Sequence, residues 1–222
     1  MSSKHKIHLF KNREKALVHE DEDLENIANL RRGFKMLISG SPHVGKTNMV
    51  RQFIIHKNPA FDRILVVHVD PSTIEYDDID GVEMVPNVAD LPAPEDINPE
   101  QRLFIILEDL DVTALKRHDR DKINMYLRYV CSHRGVSLCM ICHNPFAIPV
   151  DWRKKIDVYI LYRFDSDTLT MLARRMGIQK DDFRYLFKNC IKTKYDSLMI
   201  DLTGSDNLVR KNIFEVVKRL SD

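Results

Sequence analysis

The chain carries almost no net charge. Lys and Arg number 34 against 33 Asp and Glu, so no global field announces nucleic acid, and any contact with DNA has to come from a local patch. Long hydrophobic runs are missing as well. No apolar stretch approaches the roughly 20 residues that a membrane-spanning helix needs. The opening MSSKHKIHLFKNREK has no apolar core of the kind a secretory signal carries. Cysteine is sparse, and Cys131, Cys139, Cys142 and Cys190 form no disulfide framework. Cys139 and Cys142 have C-x-x-C spacing, but they fall in a strand-like run where residues three apart face opposite ways. They are expected to be buried core residues. Repeats and low-complexity tracts are absent. A chain of 222 residues, 44% hydrophobic and 30% charged, has the composition of a soluble globular protein and can bury one sizeable core.

What is present is an alternation of strand and helix patterns. Residues 1–33 read as a charged extension, with an acidic run at 20–25 and a short helix carrying Ile27, Leu30 and Phe34 toward the core. The remainder, 34–222, reads as one domain. An apolar strand at 34–39 leads to a helix at 46–56, where Met49, Val50, Phe53 and Ile54 share helical spacing. A buried strand follows at 63–69. Residues 70–101 are proline-rich and loop-like, with a short strand at 82–85. A buried strand at 103–107 precedes a helix at 112–133, with Ile123, Leu127 and Val130 on one face. Strands at 136–142 and 156–162, helices at 166–176 and 181–190 split by Gly177, an edge strand at 198–202 and a closing helix at 207–220 complete the chain. This order predicts an α/β fold with a mainly parallel sheet flanked by helices.

The strongest chemical signal is Gly40-Ser41-Pro42-His43-Val44-Gly45-Lys46-Thr47, followed by Asn48. It matches G-x-x-x-x-G-K-[ST], with a strand before it and a helix after it. Gly40 and Gly45 let backbone N–H groups turn inward on phosphates, and the helix adds the positive end of its dipole. Lys46 supplies a cation for the β- and γ-phosphates, and Thr47 offers a hydroxyl to Mg²⁺. Pro42 and His43 occupy variable positions of the loop. A second element is the pair Glu108-Asp109 after the apolar strand. Glu108 falls at the metal position and Asp109 at the position of a water-polarising base, with Asp111 as a rival. Asn144, just past the strand at 136–142, reads either as a γ-phosphate sensor or as a loop-starting residue before Pro145. Arg134 lies before that strand, far from its own loop, where it suits a trans-acting arginine finger or a plain surface arginine. Arg153 and Arg163 are rivals for that role.

Taken in order, these features resemble the genome-packaging ATPases of large nucleocytoplasmic DNA viruses, within the FtsK/HerA superfamily. The resemblance spans about 34–204. It rests on the phosphate loop, Val67-His-Val-Asp-Pro71, the acidic pair, Ser132-His-Arg-Gly135, His143-Asn-Pro-Phe146, Ile148-Pro149, the run at 156–164 and the segment Tyr195-Asp-Ser-Leu-Met-Ile-Asp-Leu202. It implies a RecA/FtsK-like P-loop ATPase that binds ATP and Mg²⁺, forms a homo-oligomeric ring, and drives double-stranded DNA into a capsid without sequence preference. Capsid or other virion proteins would be partners, and the virus assembly site or the virion its place of work. The family implies Lys46 and Thr47 on phosphate and Mg²⁺, Glu108 and Asp109 as the acidic pair, and Arg134 as the finger. Asn144 stands where members often have Gln. The Glu-Asp order is a departure from the usual Asp-first pair. Lys116, Arg117, Arg120, Lys122, Arg153, Lys154 and Lys155 are the basic residues available for DNA phosphates. A GTPase would need N-K-x-D and an ABC ATPase L-S-G-G-Q; neither occurs. A small-molecule kinase would need an arginine-rich lid and an acceptor pocket. A nucleotide-bound assembly adaptor with little turnover is the alternative from another class.

Overall fold

Runs of apolar residues too long for a half-exposed strand become the two-sided centre of a sheet. In the computed structural model, which describes residues 30–57, 60–70, 72–203 and 208–219, β1 (Lys35–Ser39), β2 (Arg63–His68), β4 (Leu103–Glu108), β5 (Ser137–Cys142) and β6 (Val158–Leu161) are parallel neighbours or next neighbours. β3 (Val82–Met84) adds a short parallel edge beside β2. The order is β3-β2-β4-β5-β1-β6-β7-β8-β9, with β7 (Leu198–Asp201), β8 (Leu208–Lys211) and β9 (Glu215–Arg219) antiparallel.

Strand periodicity divides the side chains between two cores. Met36, Ile38, Phe104, Ile106, Cys139 and Ile141 face α1 (Lys46–His56), whose Met49, Val50, Phe53 and Ile54 close that side. Leu37, Ile105, Leu107, Leu138 and Cys142 face the other side. There they meet Ile123 of α2 (Arg117–Met125), Tyr126, Leu127 and Val130 of the π-helical turn after it, and Leu172 and Phe187 of two later helices. A short α3 (Cys131–Arg134) ends at Gly135, and a one-turn α4 (Val150–Arg153) precedes β6. The later helices are α5 (Ser166–Met176), which Asp165 caps by accepting from Asp167 N and Thr168 N, and α6 (Lys180–Cys190). Cys139 and Cys142 do face opposite cores, all four cysteines are buried and free, and burial pushes the Cys142 thiol up to about 11.

Four expectations differ from the structure. The closing helix at 207–220 is a hairpin of β8 and β9, turned at Asn212 and Ile213, whose φ values are 51° and 62°. Positive φ at adjacent residues suits a tight hairpin turn, and Asn is among the residues that tolerate it. Ile213 does not by its own preference, but its side chain is fully buried against the α1 core, which fixes the turn. With β8 in place, the strand near 198–202 is internal rather than an edge. The helix expected from 112 starts only at Arg117, because Asp111 Oδ1 accepts from Thr113 N, Thr113 Oγ1 and Ala114 N and holds a turn there. Leu30 is buried in the core, but residues 30–34 form no helix. Ile27 and the acidic run at 20–25 lie outside the described residues.

Candidate nucleotide site

β1 ends at Ser39 in the middle of the sheet, and the chain turns over the strands' carboxyl ends into α1. Open parallel sheets hold ligands at this place. Gly40 is needed for close approach: a Cβ there would lie 2.5 Å from Tyr162 Cβ. Gly45 is needed for conformation, with φ 94° at the N-terminus of α1. His43 also takes positive φ, at 60°; it and Ser41, Pro42 and Asn48 are exposed, whereas Val44 is buried. The Tyr162 hydroxyl donates to Gly45 O at 2.9 Å and props the loop from below.

Lys46 is 7% exposed. Its Nζ donates to Ser41 O at 3.2 Å and lies 2.9 Å from His143 Nδ1. Burial lowers the pKa of Lys46, while Asp109, Cys142 and Glu108 act against that fall. The next residue, Thr47, donates from Oγ1 to Glu108 Oε1 at 2.5 Å. Glu108 ends β4 and is 1% exposed. Its other oxygen, Oε2, accepts from the hydroxyl of Tyr76, itself 1% exposed. Burial pushes the Glu108 carboxyl above its ordinary range, and the Thr47 and Tyr76 hydrogen bonds pull it partly back. His68, Glu75 and Glu108 bring one ligand atom each within 4.8 Å of one another. Oxygen donors on Thr47 and a buried carboxylate form the set a hard cation such as Mg²⁺ prefers. A divalent charge there would balance the buried carboxylate. The residues therefore fit the ion.

Asp109 follows with φ 50°, its N–H bonded to Ile141 O at 3.0 Å. Its Oδ1 lies 3.6 Å from His143 Nε2 and has no hydrogen-bond partner among the described residues. His143 thus stands between Lys46 and Asp109. It is the first residue past β5, and Asn144 follows it. Asn144 is exposed, its Oδ1 accepts from Phe146 N at 2.8 Å, and it opens an Asx turn.

Gly40, Gly45, Lys46, Thr47, Glu108 and Asp109 converge. Asp111 does not, being held in its own exposed turn. Arg134 lies at the opposite ends of the strands, before β5, a strand that spans roughly 20 Å at the usual rise. Its side chain makes no hydrogen bond or ion pair among the described residues, and α3 ends on it. Arg153 is engaged, with Nε donating to Ile148 O at 2.9 Å and the guanidinium 4.8 Å from the Phe146 ring centroid. Arg163 is exposed at the loop's own end of the sheet, just beyond Tyr162. Of the basic residues weighed for DNA, Lys122 binds Ala89 O at 2.6 Å and Leu91 O. Arg120 Nε donates to Leu115 O at 3.0 Å, Lys155 Nζ binds Asp151 O, and Lys116, Arg117 and Lys154 are exposed. Sequence reasoning missed Tyr76 and His143. The first sits in a loop 32 residues from its partner and leaves no local signal; the second was legible as the residue after a strand end, one place before Asn144.

No protein-family model matches the chain, and no curated protein matches its sequence. Solved structures do share its architecture. The DNA-packaging ATPase of Sulfolobus Turreted Icosahedral Virus aligns with a TM-score of 0.55 at 12% identity, over 81% of this chain and 98% of that one. The genome packaging NTPase of Sulfolobus turreted icosahedral virus 2, in complex with AMPPCP, gives 0.58 at 13% identity over 80% and 96%. The pCW3 conjugation coupling protein TcpA with ATPγS gives 0.52 at 16% identity over 83% and 60%. At such identities the common property is the fold, and the chain has the α/β fold of the RecA/FtsK-like P-loop NTPases.

Proposed function

We propose that the chain is an ATP-hydrolysing motor of the FtsK/HerA kind that moves double-stranded DNA into a viral capsid. The observation that carries the hydrolytic part is the contact of Thr47 with Glu108 beside a buried Lys46. A phosphate loop and an acidic strand end are joined across 61 residues of sequence, where a triphosphate and its metal need both. Thr47 and Glu108 would hold Mg²⁺, which would supply positive charge against that of the phosphates. Lys46 exchanges His143 for phosphate oxygens. Asp109 orients and deprotonates the attacking water. His143, between Lys46 and Asp109, senses whether the γ-phosphate is there.

The motor part is supported by the fold shared with viral genome-packaging and conjugation coupling proteins and by the order of motifs in the sequence. Arg134, at the far ends of the strands, suits a finger reaching a neighbour's γ-phosphate in a homo-oligomeric ring. Loss of that phosphate would release Arg134 and shift one subunit against the next. DNA contacts of such a ring go to phosphates and are salt-sensitive. The reading implies capsid or other virion proteins as partners, at the virus assembly site. No helix among the described residues is long and apolar enough to cross a membrane.

The test is the ATPase rate with and without double-stranded DNA, with oligomer mass measured on the same sample. Stimulation by DNA in a multimer is expected; turnover by a monomer indifferent to DNA contradicts the motor. Mixing Arg134→Ala with Glu108→Gln subunits should restore activity, because some interfaces then pair an intact acidic strand with an intact finger. No recovery in any mixture removes the shared site.

A further inference from the structure

We propose that Tyr195 is the platform on which the nucleotide's base stacks. The inference rests on the phosphate-loop reading and adds where the other end of the ligand lies. Glu108, Asp109 and His143 lie at the carboxyl ends of β4 and β5, on one flank of β1. Metal and water-activating groups mark the γ-phosphate end, so the nucleoside leaves on the opposite flank, over β6 and β7.

That flank presents aromatic rings. Tyr162 is buried and spends its hydroxyl on Gly45 O. Tyr195 is 60% exposed, yet a Cβ on Gly45 would lie 4.0 Å from its Cδ1. The ring therefore stands beside the phosphate loop without being part of the core. β7 runs antiparallel to β6, with Leu198 paired to Leu161, which brings the turn before β7 to the carboxyl ends of the parallel strands. The turn is held firmly. Asp196 Oδ2 accepts from Lys192 N at 2.9 Å and Thr193 N at 2.7 Å, and Oδ1 accepts from Asn212 Nδ2 at 3.2 Å. Tyr195 N donates to Thr193 Oγ1 at 3.3 Å. Lys194 Nζ lies over the ring, 4.6 Å from its centroid. A planar, exposed ring on a braced turn next to a phosphate cradle suits a planar heterocycle. Stacking recognises the π-face and tolerates different bases, so the ring would add affinity for nucleotides generally.

The test compares Mg²⁺-dependent binding of AMPPCP and of inorganic tripolyphosphate. Wild type should bind both, AMPPCP more tightly, and Lys46→Ala should lose both. Tyr195→Ala should weaken AMPPCP by roughly ten- to hundredfold and leave tripolyphosphate unchanged, with Tyr195→Phe retaining both. Unaltered AMPPCP binding by Tyr195→Ala overturns the platform alone. Parallel loss of both ligands in Tyr195→Ala also overturns it, because the ring would then act on the loop and not on the base. Wild type that binds neither ligand overturns the phosphate-loop reading itself.

Discussion

The two flanks of the phosphate loop are built from different chemistry. On the β4–β5 side, charged groups are taken out of water: Lys46 and Glu108 are buried, and Tyr76, Thr47 and His143 hold them in place. On the β6–β7 side the loop meets tyrosines, one buried under it and one in solvent beside it. Burying charge is costly unless partners surround it, so the first flank fits a place where charge must be aimed and not merely tolerated. The second asks nothing of that kind. It is propped by the antiparallel end of the sheet, through Asp196 and Asn212. Hydrolysis and nucleoside contact are thus expected to fail separately under mutation.

The largest separation should come from Glu108→Gln, which keeps the size and one acceptor but removes the charge. Turnover should fall by at least about a hundredfold, with AMPPCP binding retained, in steady-state ATPase and equilibrium binding assays. Removing the imidazole with His143→Ala should lower kcat by roughly tenfold or more, whereas Asn144→Ala should leave kcat within about twofold, since its side chain serves a turn. Equal effects of the two would show that the sensor is not where the geometry points. Tyr76→Phe takes one donor from a buried carboxylate, a loss of about 1.5–3 kcal/mol. It should appear as a raised Mg²⁺ requirement as well as a lower kcat; an unchanged Mg²⁺ dependence would contradict a positioning role.

The smallest effect tests the brace. Burial would raise the carboxyl of Asp196, but backbone N–H groups at Thr193 and Lys192, the Asn212 amide and Lys211 outweigh it and hold the pKa at about 2, against 3.8 ordinarily. A depressed folded value contributes stability that is complete above 3.8 and lost as pH falls through about 2. The size is about 2 kcal/mol. Asp196→Asn should lower the midpoint of thermal unfolding by about 4–8 °C near neutral pH, and the gap to wild type should close as pH falls below 4. A gap that is constant with pH would assign the loss to packing.

Legibility in the sequence followed locality. The helix at Lys46–His56 and the buried strands were readable because continuous apolar runs and helical spacing are local, and a parallel core imposes both. The loop was readable because its glycines and Lys46 fall within one short stretch of the chain. The C-terminal hairpin was not. Ile213 takes a backbone conformation that its own preference opposes, and only burial against the core explains it. Tyr76 was invisible for a similar reason: it meets Glu108 through folding and no spacing rule links them. Asn144 stood out as an amide at a strand end; in the fold His143, one position earlier, meets Lys46, while the Asn144 side chain accepts from Phe146 N.

The most direct test of the central claim is a structure of the protein with AMPPCP and Mg²⁺. The account predicts triphosphate in the turn at residues 40–47, Mg²⁺ within about 2.1 Å of Thr47 Oγ1 with Glu108 beside it, and Lys46 Nζ moved from His143 to phosphate oxygens. An empty turn, or nucleotide bound elsewhere with Lys46 still on His143, would contradict it.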